Sequence, residues 1–225
     1  MESQRAQRAL HLSIAVIVVE WFVNSLRAST VPSGVWPMVG FMAFKTVLVA
    51  TLVFSLVRAS GETPAVLGLR RSPVIRPVLV GVGFGFVLFV LFSVLLGPIL
   101  RGVLGGPPTP PAVMALLHDP NNLPFWIVTA AGAGFTEELA RIFALTSFQR
   151  AFGRTGLIVA LLVDSVAFGM THRYQGTVGV ITNAIFGVTI GLFFLRRRNA
   201  TEVMVAHGVN DLIAILIAFA MGGRV

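Results

Sequence analysis

Cysteine is absent from this 225-residue chain, which excludes disulfides, thiol nucleophiles and Cys-type zinc sites. Charge is scarce too: Asp, Glu, Lys and Arg make up 12% of residues, where a soluble domain carries about 25%. With 56% of residues hydrophobic and a mean hydropathy of +0.87, water cannot be the main solvent. Lysine is almost missing, one residue (Lys45) against sixteen arginines, a bias that suggests a GC-rich prokaryotic genome. No polar stretch is long enough for a second, soluble core and no internal repeat is visible, so residues 1–225 read as one membrane domain. The net charge of +8 would suggest nucleic acid in a soluble protein. Here the arginines sit between apolar runs as orientation signals, and nucleic acid is not an expected partner. Arg5 and Arg8 precede an apolar run as in a signal peptide, but Glu20 interrupts that run and no small-residue cleavage site follows.

What the chain does have is a series of apolar runs near the ~20 residues that a helix needs to cross the hydrocarbon core. They lie near 9–26, 35–57, 77–100, 124–148, 155–172, 176–195 and 201–221. Lipid offers no partner to free backbone groups, so each run must be helical. The expectation is an all-α polytopic bundle of about seven spans, with two short pieces that would also suit re-entrant segments. Pro32 and Gly34, Gly61 to Pro64 and Gly105 to Pro111 mark the breaks, and Pro124 suits a helix start. Gly187 and Gly191 form a small-xxx-small pair for close helix contact. With the N-terminus inside, Arg5, Arg8, Arg58, Arg70, Arg71, Arg76, Arg150, Arg154 and Arg196 to Arg198 are cytoplasmic. Only Arg27, Arg101, Arg173 and Arg224 then fall outside. The chain is expected in a prokaryotic cytoplasmic membrane with that orientation.

Ionisable side chains within spans cost about 2.5–3.5 kcal/mol each on insertion scales and mark function by default. Glu20 and Lys45 have a structural reading: a buried pair joining the first two helices. Glu137, Glu138, Asp164 and Asp211 are different, being four acids against the single cation Arg141. Their excess charge must be relieved by protonation, water, a protonated histidine or a metal ion. Spacing places them in groups. Arg141 shares a helix face with Glu137 (i, i+4) and neighbours Glu138 (i, i+3), while Phe168 and His172, and His207 and Asp211, are also i, i+4 pairs. Asp164 lies one turn before Phe168.

Read together, Glu137-Glu138-Leu-Ala-Arg141, Phe168-Gly-Met-Thr-His172 and His207-Gly-Val-Asn-Asp211 resemble the motifs of the CPBP family of membrane proteases. That family includes the CAAX prenyl endopeptidases and bacteriocin-processing enzymes, and its motifs run Glu-Glu-x-x-x-Arg, Phe-x-x-x-His and His-x-x-x-Asn/Asp. Leu67 to Arg71 and Arg173 to Gly176 are similar to family sequences as well, so the resemblance covers roughly 60–215. It implies two N-terminal spans and a cytoplasmic loop over 1–75, then a protease core over 76–225 with its catalytic part in the last four spans. One residue is missing between Glu138 and Arg141, which turns Arg141 by ~100° and gives the i+4 relation to Glu137 rather than Glu138.

The resemblance implies an intramembrane endopeptidase acting on a peptide or membrane-protein substrate. Glu137 is the implied general base on a water also held by His172, with His207 and residue 211 stabilising the oxyanion. Glu138, Arg141, Phe168 and Asp164 support them. Asp211 stands where an asparagine would donate, so it must be protonated, orient His207 or bind metal; Asn210 points ~100° away on an ideal helix. Glu137, His172, His207 and Asp211 are a donor set that suits zinc, but no His-Glu-x-x-His motif forces it. A glutamate-activated water without metal is equally adequate. Two rivals remain, a non-catalytic binder or immunity protein of the same family, and an ion-coupled carrier. On ideal helices His207 would lie ~12 Å and His172 ~27 Å from the cytoplasmic ends, so the fifth helix should tilt strongly or end within a cavity.

Overall fold

The computed structural model describes residues 35–69, 73–105 and 119–221, with part of the first apolar segment between residues 5 and 18. Every element in the described residues is helical. Helix α1 is Val35–Ala59 and α2 is Ile75–Leu104. Proline at position 98 has no N–H and would press on the carbonyl four residues back. The helix answers by widening to π geometry over Val90–Leu96, where Gly97 donates to the Phe92 carbonyl.

The run Leu123–Thr171 has 49 residues, which would be about 73 Å long if straight, over twice the hydrocarbon thickness. It is not straight. Gly153 adopts φ 63°, ψ −144°, a region that side chains disfavour, and the chain turns back on itself there. Arg141 and Asp164 would be roughly 34 Å apart along one helix, yet Arg141 Nε lies 2.7 Å from Asp164 Oδ2. The arms are α3 (123–152) and α4 (154–171), and they match the expected spans 124–148 and 155–172. Helix α5 is Gly176–Arg197 and α6 is Ala200–Ala220.

Five helical runs among the described residues are long and apolar enough to cross a membrane. The expected count of about seven is therefore not reached there, in part because the hairpin is one continuous run. The expected first span, 9–26, lies largely outside the described residues; residues 10–16 of it are helical.

Helix α3 is the axis of the bundle. Residues 136–147 are buried without a break, as befits a helix with neighbours on all sides. Helix α1 lays Met42, Lys45, Val49, Val53 and Val57 against it, a buried stripe at three- and four-residue spacing. On the other sides backbones approach closely through glycine, as is usual between helices in lipid. A Cβ on Gly134 would sit 2.6 Å from the Met204 carbonyl oxygen of α6, and one on Gly85 of α2 would sit 2.7 Å from that of Ala206. The expected Gly187 and Gly191 pair does pack α5 on α4, at Ser165 and Leu161. Leu79, Val82 and Phe86 of α2 are exposed, an apolar surface suited to acyl chains.

Because the hairpin depends on a backbone conformation that only glycine adopts freely, Gly153→Ala should lower stability by about 1–3 kcal/mol. Nothing crowds a Cβ at this position, so the loss would report the backbone alone. Thermal unfolding in detergent measures it.

Candidate active site

Helix α3 brings both glutamates into the bundle, and the surrounding helices decide their fates. Glu138 is fully buried. Its Oε1 accepts from Arg141 Nη1 on its own helix and from His207 Nδ1 of α6 at 2.7 Å. Arg141 is held by Glu138, by Asp164 of α4 and by the Phe168 ring 4.5 Å from its guanidinium carbon. The i+4 relation to Glu137 is not used. The missing residue in the first motif therefore leaves the arginine with the second glutamate, through i, i+3 reach, contrary to the shift expected from helix geometry.

Glu137 has a different partner, and not one on α3. Its Oε1 accepts from Lys45 Nζ of α1 at 2.8 Å. Its Oε2 lies 3.9 Å from His207 Nε2. Lys45, expected to serve Glu20, thus reaches the site itself; Glu20 lies outside the described residues. Helix α1 is held in register there by the Thr46 and Thr136 hydroxyls, 3.0 Å apart.

The two histidines are oriented by different acceptors. A carboxylate only accepts, so His207 Nδ1 donates to Glu138 and its Nε2 faces Glu137 and, at 3.5 Å, Asp211 Oδ2. His172 follows the last turn of α4, and its Nδ1 donates to the Phe168 carbonyl at 2.8 Å. That bond selects the tautomer with a lone pair on Nε2. His172 is within electrostatic reach of Glu137 and Asp211. The expected depth mismatch disappears because Phe168 reaches both rings, with centroids 4.6 Å from His172 and 5.9 Å from His207. Asp211 is partly exposed, and its Oδ1 accepts from Asn210 Nδ2 at 2.9 Å.

All eight residues singled out from the sequence, Glu137, Glu138, Arg141, Asp164, Phe168, His172, His207 and Asp211, meet around α3, α4 and α6. The residue missed as a member of the site is Lys45; its signal was the only lysine of the chain standing in an apolar run.

The donors do not converge as a metal cage. Glu138 is clasped by Arg141 and His207, and one oxygen of Glu137 by Lys45. Among the described residues no group of three or more His, Asp and Glu is placed to hold a metal ion.

Residues 119–213 match the family model for type II CAAX prenyl endopeptidases, Rce1-like. This stretch is Rce1-like. It holds all three motifs, so the resemblance drawn from them stands for this stretch. No curated protein and no solved structure matches the chain. Helix α1 and its lysine lie outside the Rce1-like stretch.

Removing one partner of a buried ion pair leaves an uncompensated charge, at a cost of about 3–5 kcal/mol. Arg141→Gln strands both Glu138 and Asp164 and should lower stability by about that amount. Detergent-phase thermal unfolding measures it, and a loss under about 1 kcal/mol would contradict the clasp.

Proposed function

We infer that the protein is an intramembrane endopeptidase in which Glu137 and the two histidines activate and direct a water. The observation that carries this reading is the division of labour between the glutamates. Glu138 is locked, whereas Glu137 keeps one oxygen turned toward His207 Nε2.

Hydrolysis needs a base for the water and a donor for the developing oxyanion. Glu137 Oε2 takes a proton from the water, and the lone pair on His172 Nε2 accepts the water's other hydrogen and aims it. Attack on the scissile carbonyl puts negative charge on its oxygen. His207 carrying a second proton, on Nε2, donates to that oxygen, with Glu138 holding the opposite edge of the ring. Asp211 is an acceptor where an amide would donate, and at 3.5 Å it orients Nε2 instead of forming the oxyanion hole. Glu137 then returns its proton to the leaving amine. No step needs a metal.

The substrate class we assign is a peptide segment that reaches the bundle from the membrane or its surface. A prenylated C-terminal peptide is one such segment, by analogy with the family's name alone. We assign the N-terminal side of the chain to the cytoplasm, a reading supported by the excess of arginines in the loops that would lie on that side.

Cleavage of a membrane-peptide library, with a farnesylated C-terminal peptide as one arm, tests the reading. Wild type should cut at least one member, and Glu137→Gln should lower kcat by about 10²–10⁴. A chelator should leave the rate unchanged. Equal inertness of folded, monodisperse wild type and variant would favour the non-catalytic binder.

A further inference from the structure

We propose that Lys45 is a positioning residue of this site: its ammonium fixes Glu137 Oε1, so that Glu137 meets the water with Oε2 alone. The proposal rests on the protease reading above and extends the machinery to a helix outside the Rce1-like stretch.

The buried stripe that α1 turns to α3 otherwise consists of Met42, Val49, Val53 and Val57, with the half-buried Thr46 beside it. Packing alone would be met by another valine. A cation there must be stripped of water, which lipid and protein interior both penalise, so its presence calls for a specific anion. Glu137 is such an anion, 2.8 Å away, with both side chains buried. Around Glu137 stand Lys45 from α1, His207 from α6, and His172 and Asp164 from the α4 side. Of these only Lys45 hydrogen-bonds it.

The residue type fits the task. An arginine's planar fork tends to take both oxygens of a carboxylate, whereas an ammonium is a point charge that engages one. Lys45 leaves Oε2 open on the side of His207, which is the geometry a general base needs. Helix α1 is also set in register at this level, through Thr46 on Thr136 and through Met42 against Gly132. The ammonium is therefore carried by a helix docked at that level.

A purely structural clip would change the amount of folded protein. A positioning residue changes turnover. The experiment compares wild type, Lys45→Met, Lys45→Gln and Lys45→Arg in the full chain, with kcat and KM measured per monodisperse molecule on a peptide that wild type cuts. Misplacing a catalytic group by about 1 Å is enough for a 10²-fold loss. Lys45→Met should lower kcat by about 10- to 100-fold with KM nearly unchanged. Lys45→Gln, which keeps a donor for Oε1, and Lys45→Arg, which keeps the charge, should each fall between Lys45→Met and wild type. Should Lys45→Met fail to fold, the Gln and Arg variants carry the test through their kcat alone. Wild-type kcat in every folded variant overturns the proposal and leaves the protease reading intact. An inert wild type overturns both.

Discussion

A guanidinium in an oily interior must find anions, and Arg141 finds two on two different helices. The three-way contact of Arg141 with Glu138, Asp164 and the face of Phe168 joins α3 to α4, and Glu138 passes the connection on to His207 of α6. The rest of the site hangs from that clasp. Its strength comes from low dielectric, since the same charges on a soluble surface would contribute little. Glu138 is therefore a framework residue whose work is to hold an imidazole edge, and Glu137 beside it is left with an oxygen to use. Two adjacent residues of one type acquire distinct jobs because helical geometry points them at different neighbours.

Phe168 has a comparable role without charge. Its ring lies under Arg141, against both histidines and near Phe186. A rigid aromatic plane in that place sets the distance between His172 and His207, which come from separate helices. Phe186 closes on His207 from α5, with ring centroids 4.9 Å apart. The polar groups are thus aimed by apolar ones, and His172 and Asp211 are the site residues that retain most exposure.

Much of this was legible in the residues. Apolar runs bounded by proline and glycine placed α1, α2, α5 and α6 within a few residues of their ends. The i, i+4 pairs correctly put Phe168 with His172 and His207 with Asp211. Three features were not legible, for physical reasons. The contact of Lys45 with Glu137 depends on how α1 docks on α3, and no local signal records docking. The choice of Arg141 between Glu137 and Glu138 turned on Asp164, which a helical wheel of one helix cannot include. Depths reckoned along straight, parallel helices separated His172 from His207, whereas Phe168 reaches both.

The hydrogen bond between Glu138 and His207 spans 69 positions of chain. In a polypeptide made from its N-terminus onward, α3 enters the bilayer with its acids and Arg141 well before α6 exists. Until α6 arrives, the imidazole end of the pocket is open and Glu138 has only its own arginine. Completion of the pocket is thus a late event in biogenesis, and a chain halted before residue 200 would present membrane quality control with a half-compensated carboxylate cluster.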